Sequence, residues 1–144
     1  MQAETLFQIV NYTAFGAWAL LLIIPGSRVA RILLFGLVIP LLFAAVYLAL
    51  FAVYGSEAEG GFGSLLDVAL LFQHPHILLA GWVHYLCFDL MVGIWESSDA
   101  EKLGINRWFV APCQILTFLL GPIGLLAYVI VRSIISRRLR LDYP

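Results

Sequence analysis

Four stretches of this chain contain no lysine or arginine and few other polar groups: Phe7 to Ile24, Ile32 to Tyr54, Ile77 to Trp95 and Phe109 to Val131. A water-soluble core does not call for such runs. A bilayer does, because crossing about 30 Å of hydrocarbon takes about 20 apolar residues in a helix. The blocks are continuous rather than alternating, which excludes a membrane β-barrel. Composition agrees. Of 144 residues, 62% are hydrophobic and 12% charged, half the roughly one quarter usual in a soluble domain. The expectation is an all-α membrane protein forming a single domain over 1–144: a bundle of four transmembrane helices.

The leading residues carry Glu4 and no basic residue, and Pro25-Gly26-Ser27 runs at once into Arg28. The first block therefore reads as a retained span rather than a cleaved signal peptide. Short connections, Pro25 to Arg31 and Glu96 to Trp108, pair the first span with the second and the third with the fourth as antiparallel neighbours. A longer stretch, Gly55 to His76, links the pairs. In it, Ser64 can cap a short helix from Leu65 to Phe72, expected to lie in the membrane interface. Pro40 and Pro122 fall inside expected spans, where a missing backbone donor bends the axis.

Alternating spans would put Arg28, Arg31, Lys102 and Arg107 on one face of the membrane and Arg132, Arg137, Arg138 and Arg140 on the other. Four against four leaves the orientation undetermined by the positive-inside rule. The basic run Arg137 to Arg140 reads as a membrane-surface anchor. A net charge of −1 argues against nucleic acid as a partner. Cys87 and Cys113 both fall in spans and form no exposed disulfide framework.

The third span is the informative one. Asp89 lies deep in it, and an ionised aspartate at that depth costs roughly 2.5–3.5 kcal/mol even on the lenient insertion scale. It must face partners or a cavity, not lipid. At about 100° per residue, Trp82, Tyr85, Asp89 and Glu96 share one stripe, whereas His84 sits on another with Phe88, Met91 and Trp95. Cys113, Gln114, Thr117, Gly121 and Gly124 give the fourth span a small, polar face that suits close helix packing. Asn11, near the start of the first span, can close the site. The tryptophans Trp18, Trp82, Trp95 and Trp108 fall near span ends, as an aromatic belt would have them. His74, His76, His84, Asp89, Glu96 and Asp99 show no ligand spacing, so no metal is expected.

The run Gly81 to Gly93, followed by an acidic short connection, and the run Pro112 to Leu126 together resemble the abscisic-acid-deficient-four-like family of small four-span membrane proteins from plants, cyanobacteria and other bacteria. The resemblance is close over the C-terminal half and one of pattern over the N-terminal half. It implies a connection with neoxanthin formation, in which the epoxide of violaxanthin opens as a proton leaves a polyene carbon to give an allene. That isomerisation calls for a general acid and a base and no redox cofactor. On this reading Asp89 and His84 are the catalytic candidates. Trp82, Tyr85, Asn11, Gln114 and Thr117 would line an apolar slot for a carotenoid or other isoprenoid lipid. A bacterial cytoplasmic membrane is the expected location, and a chain of this size is compatible with a homo-oligomer.

Two other functions fit the same residues. One is a non-catalytic lipid- or pigment-binding accessory protein, which would retain a lipophile without converting it. The other is a small transporter or channel protomer, which would show ion flux dependent on Asp89.

Overall fold

The computed structural model describes residues 2–137. Their regular elements are all helical, with no strand among them, in the order α1 (Ala3–Ile23), α2 (Arg28–Ala30), a π-helical turn (Arg31–Phe35), α3 (Val38–Tyr54), α4 (Leu65–Leu71), α5 (Pro75–Leu103), α6 (Arg107–Leu120) and α7 (Pro122–Ser136). Three helical stretches are long and apolar enough to cross a membrane: Ala3–Ile23, Arg28–Tyr54 and Pro75–Leu103. The basic run expected to anchor the C-terminal end lies outside the described residues beyond Arg137.

The centre of the molecule is α5. Half of its most apolar stretch is buried inside the protein, against 28% for α1 and 22% for the Arg28–Tyr54 stretch. Those two present Ile9, Phe15, Leu41, Leu42 and Leu48 outward, as lipid-facing helices should. The core between α1, α3 and α5 is built from Trp18, Leu21, Phe43, Ala80, Val83 and Leu90. Trp18 is therefore a core residue, 2% exposed, and not part of an interfacial belt.

The second stretch is not one smooth helix. Pro40 cannot donate to the carbonyl four residues back, and its ring excludes that carbonyl. The chain resolves the conflict upstream, where the π turn ends at Gly36 and Leu37 takes φ 61°, before α3 starts at Val38. Downstream, Ser64 accepts a hydrogen bond from the Asp67 amide and caps the short helix α4. Pro75 then opens α5 as its first residue, with His74 at the N-cap.

The largest departure from expectation is in the C-terminal third. The fourth block was expected to be one helix over Phe109 to Val131. It is divided at Gly121 (φ 49°, ψ −99°) into α6 and α7 of 14 and 15 residues. Glycine accepts a backbone that other residues resist, and Pro122 is well placed at the first position of a new helix. The chain reverses there rather than bending. Gly124 sits so close to Thr117 that a Cβ would fall on its backbone, and Val110 and Cys113 share a core with Tyr128 and Val131. Thus α6 and α7 form an antiparallel helical hairpin.

Length sets the reach of that hairpin. At 1.5 Å per residue, α6 and α7 are each about 21–22 Å long, short of the roughly 30 Å of bilayer hydrocarbon. The base is tied to the C-terminal end of α1 by Arg107, whose guanidinium donates to the Leu21 carbonyl at 3.3 Å. Its turn lies against Asp89, which has fourteen helical residues on either side within α5.

The acidic segment after Trp95, expected to be a connecting loop, is instead the last two turns of α5. Glu96 and Asp99 are fully buried, because the hairpin brings partners to them. The true connection is Gly104 to Asn106.

Candidate functional site

Two polar constellations lie along α5, meeting at Asp89. The first faces α1. The Trp82 indole donates to the Asn11 side-chain carbonyl at 2.7 Å, stacks on Tyr85 at 5.3 Å and touches Phe7 at 5.9 Å. This side of the protein is hollow. A cavity of about 660 Å³ runs between Phe7, Phe72, Leu78, Trp82 and Tyr85. A second of about 230 Å³ continues from Trp82 and Tyr85 to Asn11, Phe15, Phe118 and Leu119 at the hairpin. The two share Trp82 and Tyr85 and together make a groove walled by aromatic rings.

Tyr85 lines both parts of this groove, and its side chain interacts with the carboxyl group of Asp89 one turn on. Asp89 is 8% exposed, and its Oδ2 has no hydrogen-bond partner among the described residues. A buried carboxyl oxygen without a partner is unusual, since most buried polar atoms are satisfied. Asp89 lines neither cavity itself; it lies one turn beyond Tyr85, under the hairpin turn at Gly121.

The second constellation lies between α5 and the hairpin. Thr117 donates to Glu96 at 2.8 Å. Gln114 donates to the Gly93 carbonyl at 3.0 Å and to Ser97 at 2.7 Å. Tyr128 and Arg132 converge on the same oxygen of Asp99, at 2.6 and 2.8 Å. Arg132 is 1% exposed. It had been assigned to the membrane surface, as a charge just past the end of a span. The hairpin turns it inward, where it neutralises a buried acid. Glu96 keeps one oxygen, Oε2, without a hydrogen-bond partner among the described residues.

The candidate residues therefore separate. Asn11, Trp82 and Tyr85 come together at the groove, with Asp89 one turn beyond Tyr85 on α5. Gln114 and Thr117 stand behind Asp89, in the polar seam that holds the hairpin to α5. His84 is on the opposite side of α5, exposed, with its ring 5.8 Å from that of Tyr47 and 4.6 Å from that of Phe88. The structure does not bring it to Asp89. Among the described residues no group of three or more His, Cys, Asp or Glu side chains is arranged to hold a metal.

Sequence reasoning missed the roles of Glu96, Asp99, Tyr128 and Arg132. A signal for them existed. Asp89, Glu96 and Asp99 recur at steps of seven and three on one face of a helix, and Tyr128 and Arg132 at a step of four on another.

No curated protein and no solved structure matches the chain. The family model described as ABA DEFICIENT 4-like matches residues 5–128, from the first turn of α1 to Tyr128 in α7, and so covers most of the groove, Asp89 and most of the hairpin. The chain belongs to the ABA DEFICIENT 4-like family.

Proposed function

We propose that this protein takes a long apolar isoprenoid or carotenoid-type lipophile into the groove between α1 and α5 and presents part of it to Asp89. The observation that carries the reading is the unpartnered Oδ2 of Asp89, one helical turn beyond Tyr85, which lines both parts of the aromatic slot. Membership of the ABA DEFICIENT 4-like family supports a carotenoid-related role. Aromatic walls suit a stiff polyene, and the Trp82–Asn11 pair offers a polar edge part of the way along. A carboxyl sheltered from water can hold a proton and give it to an epoxide or hydroxyl oxygen. Tyr85, beside it, is the second proton-bearing group in reach. The reaction class is acid–base isomerisation.

Membrane placement is part of the same proposal. The chain crosses three times, and the α6–α7 hairpin enters from one face and returns to it. Charge supports this. Under three crossings Arg28, Arg31, Lys102, Arg107 and Arg137 fall at one end, together with the buried Arg132, whereas Glu4, Glu57, Glu59 and Asp67 fall at the other. The tie left by four crossings disappears. The positive-inside rule puts the basic end in the cytoplasm. Leu65 and Leu66, both exposed on α4, then rest in the interface of the opposite leaflet.

A second reading is favoured by the position of His84. With that imidazole facing Tyr47, the groove lacks the expected base, and binding without conversion fits the same cavity. One experiment separates the two. Protein purified from xanthophyll-supplied membranes in mild detergent is analysed for retained lipophiles by mass spectrometry, with Trp82→Ala and Asp89→Asn alongside. An isoprenoid enriched in the wild type and depleted in Trp82→Ala supports occupancy of the groove. A product that disappears in Asp89→Asn while the ligand stays bound supports catalysis. Wild-type protein carrying only bulk phospholipid would end both readings.

A further inference from the structure

A separate cavity opens at the basic end, and it shares no lining residue with the groove. We infer that it is a binding site for a phosphate group carried on an apolar chain, the chemistry of an anionic phospholipid of the adjacent leaflet.

The cavity measures about 520 Å³. Arg31 and Arg107 line it, with Ser97 and Gln114 as polar groups at its inner side and Leu21 and Phe35 as an apolar wall. Neither arginine forms an ion pair with a described carboxylate. Arg107 is oriented by its bond to the Leu21 carbonyl, which leaves most of its five donors for a ligand. Glu101 also lines the cavity, so one positive charge remains in excess. Guanidinium groups bind phosphate through paired, charge-assisted hydrogen bonds.

The backbone break upstream of Pro40 shapes this side of the cavity. Arg31 opens the π-helical turn and Phe35 closes it, followed by Gly36 and then Leu37 at φ 61°. Here the irregular segment supplies one arginine and part of the apolar wall.

The site lies level with the C-terminal end of α5 and the base of the hairpin, where headgroups of the basic-side leaflet would sit. A phosphate on Arg31 and Arg107 leaves its chain free to run along Leu21 and Phe35. Ionic lipid binding is then specific rather than a diffuse attraction to basic residues.

The test uses delipidated full-length protein in detergent and native mass spectrometry. The probes are dioctanoyl phosphatidylglycerol, dioctanoyl glycerol (the same chains without phosphate) and inorganic pyrophosphate. Arg31→Gln/Arg107→Gln is compared with Arg28→Gln, an exposed arginine that does not line the cavity. Phosphatidylglycerol should bind the wild type and Arg28→Gln alike, with affinity about tenfold or more lower in the double variant. Dioctanoyl glycerol should bind no better than background. Arginine-dependent binding of pyrophosphate with no advantage for phosphatidylglycerol would assign the phosphate to a soluble source. Equal binding of the two lipids, or an unchanged double variant, or an equal loss in Arg28→Gln, would overturn the site.

Discussion

Gly121 packs so tightly on Asp89 that a Cβ on the glycine would lie 2.8 Å from Oδ1 of the carboxyl group. The hairpin turn is thus the lid on one side of the buried acid, and its shape depends on the residue that makes the reversal.

Gly121→Ala should therefore act twice. The backbone at φ 49°, ψ −99° disfavours any side chain, a cost of about 1–2 kcal/mol, and the added methyl group presses on Asp89. Thermal unfolding in detergent should show a loss of about 2 kcal/mol or more. Combining it with Asp89→Ala should recover the part due to contact and leave the backbone part. A melting temperature unchanged by Gly121→Ala would mean the turn is looser than described.

Asp99 and Arg132 form a buried ion pair, with Tyr128 on the same carboxylate oxygen. Removing one member of such a pair leaves an uncompensated charge and typically costs about 3–5 kcal/mol. Arg132→Met and Asp99→Leu should each be severely destabilised, and the double change should recover most of the loss. If Arg132→Met alone unfolds at the wild-type temperature, the guanidinium is not buried against the acid.

Gly93 provides the close approach of α5 to α1, since a Cβ there would meet Cη2 of Trp18 at 2.5 Å. Overpacking of this kind costs about 1–3 kcal/mol. Gly93→Ala should melt earlier than wild type, and Trp18→Phe, which removes the clashing ring, should restore part of the difference. Lack of any rescue would place the strain elsewhere.

Hydropathy made three apolar stretches visible but concealed the hairpin. The block from Phe109 to Val131 has the length and greasiness of a span, and a window average does not register a reversal at Gly121-Pro122. The glycine–proline step was read as a bend because a lone proline in a span usually is one. Glu96 and Asp99 were read as loop residues for a related reason: their acidity is compatible with a helix only once Thr117, Tyr128 and Arg132 are beside them. Those contacts span 21 to 33 positions of sequence. By contrast, the stripe of Trp82, Tyr85 and Asp89 follows from helical period alone, and so its common face was legible. Asn11 joins it only through packing of α1. The even division of basic residues under four crossings becomes one-sided under the proposed three.

Side-specific labelling of single cysteines, in a chain with Cys87 and Cys113 replaced by serine, tests the half-depth hairpin most directly. Glu101→Cys marks the end of α5, Arg137→Cys the end of α7, and Glu59→Cys the connection before α4. The hairpin predicts that positions 101 and 137 react with an impermeant maleimide from the same face and position 59 from the other. Labelling of 101 and 137 from opposite faces would show that the chain crosses completely after α5, and the turn could not then rest at Asp89.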